Sequence, residues 1–470
     1  MIMSKLMTMS EVKRVLNVLA IAIVLGLLLS SPALSAGQVS AVKDAKGWKL
    51  QVNGSDYFVK GMVWGYTPIG ENHAYGLWSY PDEHIKKVID RDFRMMKAAG
   101  VNTVRSFMGT PPRWIQYIYE QYGIMSIVNP DAGRYGLTIN GIWMPNTDYS
   151  DPAIRAYIKN AVLAVVEAYK NIPGVLMFAI GNENNYGLEW KSGEIENLPE
   201  GERHREKAKY LYSLFNEIIT AAKQIDSSHP YAIVNGDTQY LDLIKEQCTA
   251  LDIFASNFYR GRSFTDMWGE VKQKLDLPVV ITEFGSDAFN ALRYQEDQFA
   301  QADILSDQWQ EIYHKGYGQG AEGNALGAFV FSWRDGWWKY RIEDAEDLYL
   351  HNRNASWSSG GYPFDYLPGK NNMNEEWFGI NQLGPLDSDG IAETTPRLAY
   401  YMLQDVWKVD PLTATGQEID QAFAGIDLHA QAAAHNIKVL GEKRTFNEMF
   451  YLEGGELKLE SVSNGVESTS

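Results

Sequence analysis

Eight short apolar runs alternate with helical segments along most of this chain, and this alternation constrains the fold more than any other feature. The runs are apolar at successive positions, so we expect strands that are buried on both faces, as in a parallel sheet covered by helices. Eight such units over roughly 360 residues predict an α/β fold, the (β/α)8 TIM barrel. The predicted strands cover residues 57–65, 101–107, 124–130, 174–183, 231–237, 251–259, 278–285 and 327–333.

An open, doubly wound sheet is the alternative arrangement for the same alternation. Sheets of that kind commonly bind a nucleotide at a glycine-rich turn, and neither GxGxxG nor GxxxxGK[ST] follows any predicted strand. The sequence therefore favours the closed barrel and gives no support to a nucleotide site. We predict the catalytic barrel domain over residues 41–408 and a C-terminal extension over 409–470, read as a helix and a β-hairpin with its turn at Gly454 and Gly455.

The first 36 residues have the composition of a targeting segment. Lys5, Lys13 and Arg14 form a basic region, an apolar stretch follows at 15–29, and small residues at 31–36 suit cleavage of a signal peptide. The apolar stretch is short for a membrane-spanning helix. We therefore predict a signal peptide and a secreted or periplasmic protein. The alternative is an uncleaved N-terminal membrane anchor, which would be the chain's one link to a membrane.

Charge and cysteine content exclude several kinds of partner and site. The formal net charge is −17, which argues against nucleic acid or an anionic membrane surface as the main partner, because both require basic patches. Cys248 is the only cysteine, so intrachain disulfides, zinc–thiolate sites and CxxC redox chemistry are excluded. The eight histidines show no HExxH motif or paired metal-ligand spacing, and we expect neither a metal nor another cofactor.

Two glutamates stand where predicted strands end. Glu183 closes the fourth strand in the stretch "MFAIGNENNYG", and Glu283 closes the seventh in "VVITEFGSD". In a closed barrel the carboxyl ends of the strands open onto one mouth, so the two carboxylates are expected to face each other there. Retaining glycoside hydrolysis requires such a pair: one group protonates the leaving oxygen, and the other attacks the anomeric carbon.

The order of the motifs resembles that of a known group of enzymes. The segments "MKAAGVNTVRSF", "FAIGNEN", "ITEFG" and "GAFVFSWRDGWW" are similar to those of clan A glycoside hydrolases, retaining (β/α)8 enzymes with catalytic glutamates on strands 4 and 7. Within the clan, the chain most resembles the barrel domain of glycoside hydrolase family 2, over residues 45–408. It also resembles the fungal-type β-1,3-glucanosyltransferases of the same clan.

The resemblance implies a role for each matching residue. Glu183 is then the general acid/base and Glu283 the nucleophile. Asn182 binds the sugar 2-hydroxyl, and Tyr259 donates a hydrogen bond that positions the nucleophile. Arg105 lies beneath Glu283 and keeps it ionised, because a nearby cation favours the carboxylate. The other implied pocket residues are Trp333, as the floor of the −1 subsite, Asn257, Trp64 and Asp237.

We therefore expect a retaining β-glycoside hydrolase that acts on an oligo- or polysaccharide. A transglycosylase that remodels a β-glucan or exopolysaccharide would use the same two glutamates and stays open as an alternative. A non-catalytic carbohydrate-binding barrel is a third hypothesis, which the presence of both glutamates argues against.

Two long loops, 128–150 and 334–394, are predicted at the carboxyl end of the barrel, where ligands bind. The second loop would favour exo action if it closed one end of a cleft.

Overall fold

The computed structural model describes residues 37–107, 109–191, 194–290, 294–340, 345–353 and 373–440, and the backbone of strands Glu448–Glu453 and Glu456–Ser461. The predicted signal peptide or anchor, residues 1–36, lies outside the described residues, as does the predicted turn at Gly454 and Gly455. Within the described part of the chain, no helix combines the length and the apolar character that crossing a membrane requires.

Eight parallel strands close into a barrel, which confirms the predicted fold class. Each strand pairs with the next along the chain, and the last pairs with the first. The last five strands are buried at every position, which is why their sequences are apolar throughout instead of alternating. The strands are β1 (Val59–Val63), β2 (Thr103–Arg105), β3 (Met125–Val128), β4 (Val175–Ile180), β5 (Tyr231–Gly236), β6 (Ile253–Asn257), β7 (Val279–Phe284) and β8 (Ala325–Val330).

A helix follows each barrel strand and covers the outside of the sheet. The start of the third helix is set locally: the Asp151 carboxylate caps it by accepting from the backbone N–H groups of Ala153 and Ile154, and Pro152 takes its first position. The helices are α1 (Asp82–Ala99), α2 (Pro112–Tyr122), α3 (Pro152–Tyr169), α4 (Glu200–Ile225), α5 (Leu241–Gln247), α6 (Met267–Lys274), α7 (Gln298–His314) and α8 (Leu398–Val406).

The segments before and after the barrel have structure of their own. Strands Val39–Asp44, Gly47–Val52 and Ser55–Tyr57 form a three-stranded antiparallel sheet ahead of β1. In the C-terminal extension the single predicted helix is replaced by two, α9 (Gly416–Ala424) and α10 (Leu428–Ala434). They are separate because the second begins anew at Asp427, whose side chain caps it. The predicted hairpin strands pair antiparallel.

The long loops at the barrel mouth contain small structured pieces. The loop after β3 forms a hairpin from Leu137–Ile139 and Ile142–Met144. The segment after β8 contains a second hairpin, Asn381–Leu386 with Ala392–Pro396. A short two-stranded pair, Phe289–Asn290 with Gln295–Glu296, follows β7. Single turns of 3-10 helix cover Leu77–Ser79, Tyr186–Glu189, Glu194–Asn197, Asp347–Tyr349 and Glu375–Trp377.

Buried ion pairs tie the loops after β7 and β8 to the start of α8. Arg397 is fully buried, and its guanidinium donates to the two carboxylate oxygens of Asp335 at 2.5 and 2.7 Å and to Glu296 at 2.7 Å. Bidentate pairing of this kind fixes both position and orientation. Burial nevertheless raises the pKa of Asp335 to about 6. The described parts of these two loops are therefore held in place by a buried network of charged side chains.

Glu376, in the same loop, is expected to make stability depend on pH. It has no exposed surface, and burial raises its pKa from 4.5 to about 8. The folded state therefore binds a proton that the unfolded state releases, so the free energy of unfolding falls as the pH rises from about 5 to about 8. The loss is on the order of 2–4 kcal/mol, or roughly 2–4 °C in Tm for a chain of this size.

The variant E376Q keeps the side chain neutral at every pH and tests this expectation. Between pH 5 and 8.5, its Tm should fall less than that of the wild type. The matched control is E375Q, because the Glu375 side chain is 25% exposed and pairs with Lys339; its Tm should follow the wild type. Equal falls in the wild type and E376Q would contradict the protonated state assigned to Glu376.

Candidate active site

The polar residues after β4 form a turn that is held from two sides. Gly181 has a φ of +73°, and a Cβ at this position would collide with the Asn184 side chain, so only glycine fits. The Asn184 Oδ1 accepts from the backbone N–H of Asn182 at 2.9 Å. Its amide donates to the Ala132 carbonyl and the Tyr149 hydroxyl at 3.0 and 2.8 Å. Asn184 thus clamps the end of β4 against the loop after β3.

Asn185 clamps the same turn to the neighbouring strand β5. Its Oδ1 accepts from the Gly236 N–H at 2.7 Å, and its amide donates to the Gly236 carbonyl at 2.9 Å. The N–H of Glu183 donates to the Val234 carbonyl at 2.8 Å. Glu183 itself has a φ of +50°, a left-handed conformation that costs a non-glycine residue about 1–2 kcal/mol. The surrounding hydrogen bonds offset this cost and hold the backbone of Glu183 in one conformation.

Glu283, at the end of β7, is buried under three donors. Its Oε1 accepts from Arg105 Nη1 and from Asn257 Nδ2, each at 2.7 Å. Its Oε2 accepts from the Tyr259 hydroxyl at 3.0 Å. Burial raises the pKa of Glu283 and the charge of Glu183 raises it further, whereas Arg105 opposes both effects. The donors therefore supply the stabilisation that an ionised carboxylate needs in this enclosed position.

Arg105 connects the ends of five strands, β2, β3, β4, β6 and β7, beneath this carboxylate. It closes β2 and is fully buried. Besides Glu283, its guanidinium donates to the Thr282 carbonyl at 3.1 Å, to Asn182 Oδ1 at 2.8 Å and to Asn129 Oδ1 at 3.0 Å. The planar fork of an arginine suits such divergent bonding, which a lysine would not reproduce. Among the described residues, the Nδ2 of Asn182 has no hydrogen-bond partner, so it is available to a ligand hydroxyl.

Asn257, at the end of β6, lies between the two glutamates. Its Nδ2 contacts Glu183 Oε1 at 3.0 Å and Glu283 Oε1 at 2.7 Å. These two contacts together limit the separation of the two carboxylate oxygens to at most about 5.7 Å. The same nitrogen also contacts Asn182 Oδ1 at 3.1 Å. The Asn257 amide has two N–H hydrogens but three acceptors within reach, on Glu183, Glu283 and Asn182. One of the three contacts can therefore give way to a ligand hydroxyl.

Arg134 contacts Glu183 and was not predicted from the sequence. Its Nη1 lies 2.5 Å from Glu183 Oε2, and both side chains are largely buried. Arg134 belongs to the long loop after β3, which the sequence predicts at the barrel mouth. The only sequence signal for Arg134 was its position in that loop. An irregular loop has no periodicity, so its sequence does not show which side chain turns towards the site.

Trp333 is not in the predicted place. The prediction puts it at the floor of a sugar subsite, but it has no exposed surface and packs against Tyr400 of α8 at a ring distance of 6.2 Å. Its side chain lies in the layer between barrel and helices. Phe331, two residues earlier, instead lies inside the barrel cluster, 6.4 Å from the Tyr259 ring. The Trp333 ring thus faces the surrounding helices and the Phe331 ring faces the barrel interior, so Trp333 does not form the floor of a sugar subsite.

Trp64 is likewise turned away from the mouth. Its indole N–H donates to the Asp92 carboxylate of α1 at 2.8 Å, and its ring packs on Phe93 at 5.1 Å. It is a structural residue of the outer layer, so the predicted role in substrate binding is wrong. Asp237, at the end of β5, is engaged by Arg260, whose Nε lies 3.0 Å from its Oδ2. The predicted residues that the structure brings together are Glu183, Glu283, Asn182, Arg105, Tyr259 and Asn257.

In the described ranges, no group of three or more His, Cys, Asp or Glu side chains is arranged to hold a metal ion. The site contains two carboxylates: Glu283 accepts hydrogen bonds from buried donors, and Glu183 pairs with Arg134. Such a pair can act on a bond placed between its members by proton donation on one side and nucleophilic attack on the other.

A family model described as glycosyl hydrolases family 2, TIM barrel domain, matches residues 84–335. This is more than half of the chain, and it includes both glutamates. Among curated proteins, the chain is similar to a β-galactosidase of Lactococcus lactis, at 22% identity over 253 residues, which covers 52% of this chain and 21% of the relative. It is also similar to a 1,3-β-glucanosyltransferase of Aspergillus fumigatus, at 25% identity over 220 residues and 44% of each chain.

The solved structure of a Bacteroides uniformis β-glucuronidase superposes with a TM-score of 0.51 at 14% identity, over 78% of this chain and 37% of that one. At this level of identity the likeness concerns the fold alone. The matches cover between 21% and 44% of the length of these relatives, so each relative contains a large part that has no counterpart in the match.

Proposed function

The chain belongs to the glycosyl hydrolases family 2, and from this premise we propose that it is a retaining β-glycoside hydrolase acting on an oligo- or polysaccharide. Glu283 is the nucleophile and Glu183 the general acid/base. The observation that carries this proposal is the shared Asn257 nitrogen, which limits the separation of the two carboxylate oxygens to at most about 5.7 Å. Retaining enzymes hold their carboxyl groups ~5–5.5 Å apart, and inverting enzymes ~6.5–9.5 Å apart to admit a water.

In the first step, a carboxylate oxygen of Glu283 attacks the anomeric carbon while the glycosidic oxygen leaves with a proton from Glu183. The product is a glycosyl ester of Glu283. In the second step, Glu183 takes a proton from water, the water oxygen attacks the anomeric carbon, and the Glu283 carboxylate is released. Arg105 and Tyr259 favour the ionised nucleophile at the start and at the end of this cycle.

The sugar 2-hydroxyl has a natural partner in this site. The unpartnered Nδ2 of Asn182 lies next to an Oδ1 that Arg105 and Asn257 hold at 2.8 and 3.1 Å, so the amide cannot rotate freely. Hydrogen bonds to the 2-hydroxyl strengthen as positive charge develops at the anomeric carbon, and they contribute several kcal/mol to the transition state. We assign this contact to Asn182.

A transglycosylase is the second candidate function. The similarity to a 1,3-β-glucanosyltransferase favours it, because such an enzyme uses the same glycosyl ester and replaces water by a sugar hydroxyl.

We also propose that the protein acts outside the cytoplasm. The basic residues Lys5, Lys13 and Arg14 and the apolar stretch 15–29 support this localisation.

The test is the stereochemistry of the first product. The wild type is incubated with 4-nitrophenyl β-D-glucoside, galactoside, mannoside and glucuronide and with β-1,3- and β-1,4-linked gluco-oligosaccharides, and 1H NMR follows the anomeric signals. We expect one glycone to be accepted and its β anomer to appear first. An α anomer as the first product would contradict retention. No turnover of any substrate, with sugar binding unchanged in E183Q and E283Q, would favour a carbohydrate-binding barrel.

A further inference from the structure

Glu183 determines on which side of the site the leaving group lies. In the proposed function, on which this inference rests, its proton passes directly to the glycosidic oxygen, so the leaving sugar must stand beside its carboxyl group. The residues next to Glu183 on the mouth are therefore the residues that the leaving sugar contacts. Arg134 is the first of them, at 2.5 Å.

Two exposed aromatic rings lie beyond Arg134: Tyr135 packs against its guanidinium, and Trp190 packs against Tyr135. The guanidinium carbon of Arg134 lies 4.6 Å from the centre of the Tyr135 ring. The Tyr135 and Trp190 rings are 6.0 Å apart and inclined by 41°. Tyr135 is 61% exposed and Trp190 37% exposed, although both rings are large and apolar. Their flat faces are thus open to a ligand at the edge of the catalytic pair.

The two rings come from different loops that are fixed to each other. The Trp190 carbonyl accepts from the ammonium group of Lys207 at 2.5 Å, and this buried lysine also pairs with Glu196. Arg134 lies over the Tyr186 ring at 5.8 Å, which joins the loop after β3 to the turn after β4.

We propose that Tyr135 and Trp190 form the platform for the sugar ring on the leaving-group side of the scissile bond, and that Arg134 hydrogen-bonds to that sugar. A pyranose ring has an apolar face of C–H groups and a rim of hydroxyls. An aromatic face with a polar edge matches the first, and a guanidinium with five donors matches the second. The substrate that fits is at least a disaccharide, and the same platform holds the sugar acceptor when transfer competes with hydrolysis.

The experiment compares two substrates that share the glycone accepted by the wild type. The β-glycosyl fluoride has a leaving group that fills no sugar subsite, whereas the β-linked disaccharide fills the platform. In Y135A and W190A, kcat/KM for the disaccharide should fall about 10-fold, as expected for the loss of one aromatic contact. With the fluoride it should stay within about 2-fold of the wild type, which also shows that the variant is folded. An equal fall with both substrates, or no fall with either, would overturn the platform.

Y157A is the matched control. Tyr157 is 41% exposed on α3 and donates to the Thr138 carbonyl, so its loss removes an exposed aromatic ring beside the same loop without touching the mouth. Both substrates should be hydrolysed as by the wild type. A second readout is the ratio of transfer to hydrolysis when the fluoride reacts with free disaccharide as acceptor. This ratio should fall in Y135A and W190A, and an unchanged ratio would contradict acceptor binding at the platform.

Failure of the proposed function would be recognised separately, because the wild type would then hydrolyse neither substrate. In that case calorimetric binding of the β-1,3- and β-1,4-linked gluco-oligosaccharides and of glucose still decides the platform. Weaker binding of the oligosaccharides alone in Y135A and W190A would support it, and unchanged binding of all these sugars would overturn it.

Discussion

Replacement of Glu283 by alanine is expected to lower kcat on the order of 10⁴–10⁶-fold, as loss of a nucleophile does in other enzymes that form covalent intermediates. The structure gives the reason: Arg105, Asn257 and Tyr259 all direct a donor to this carboxylate, and in the proposed mechanism no other group forms the glycosyl ester. Azide fits the space left by the carboxylate and should restore turnover. It attacks from the nucleophile side, so a β-glycoside should yield the α-glycosyl azide.

E283A also leaves Arg105 buried without its carboxylate, which costs about 3–5 kcal/mol when one partner of a buried ion pair is removed. E283Q retains a side chain of the same shape, and its Tm shows whether the loss of activity is separable from loss of stability. E376Q is the control, because Glu376 is a buried carboxyl group in the loop after β8 to which no catalytic role is assigned. Less than a 10-fold loss in E283A, or a β-glycosyl azide as product, would contradict the assignment.

Replacement of Glu183 by alanine is expected to produce a loss that depends on the leaving group. For a disaccharide, kcat/KM should fall about 10²–10⁴-fold, the usual contribution of a positioned proton donor. For a 2,4-dinitrophenyl glycoside, whose phenolate leaves without a proton, kcat/KM should fall by less than about 10-fold. The glycosyl ester then accumulates, because Glu183 no longer activates water. Azide releases it by attacking from the side of Glu183 and should yield the β-glycosyl azide.

The two azide products distinguish the glutamates without reference to the size of either effect. Opposite anomers from E183A and E283A mean that the two carboxylates flank the anomeric carbon on opposite faces. E376Q again serves as the control and should behave as the wild type with both leaving groups. An equal loss with the disaccharide and the dinitrophenyl glycoside would show that Glu183 does not donate the proton.

The fold could be predicted because its determinants are local. The doubly apolar runs mark β4 to β8, and Asp151 with Pro152 marks the start of α3. Gly100 ends α1 in a left-handed conformation, as a glycine after a helical run commonly does. The division of the C-terminal helix at Asp427 was missed, because its apolar residues keep one periodicity across the break.

The two glutamates could be predicted because each lies at or just beyond the end of an apolar run: Glu283 is near the end of β7, and Glu183 comes three residues after β4. The topology brings every carboxyl strand end to one mouth. The roles of Asn182, Arg105, Tyr259 and Asn257 were implied by the resemblance alone. Trp64 and Trp333 show the limit: strands buried on both faces are apolar on both, so the sequence does not reveal which tryptophan faces inward. Arg134 shows another limit, since its contact with Glu183 depends on the path of an irregular loop.

The most direct test of the central claim is to trap the glycosyl ester and locate it. The 2,4-dinitrophenyl 2-deoxy-2-fluoro-β-glycoside of the accepted glycone forms the ester readily and releases it slowly, because the fluorine destabilises both transition states and the leaving group compensates only in the first. We predict that mass spectrometry of the digested protein finds the fluorosugar on Glu283. A label on Glu183, or continued hydrolysis of this reagent without any label, would contradict a retaining mechanism with Glu283 as the nucleophile.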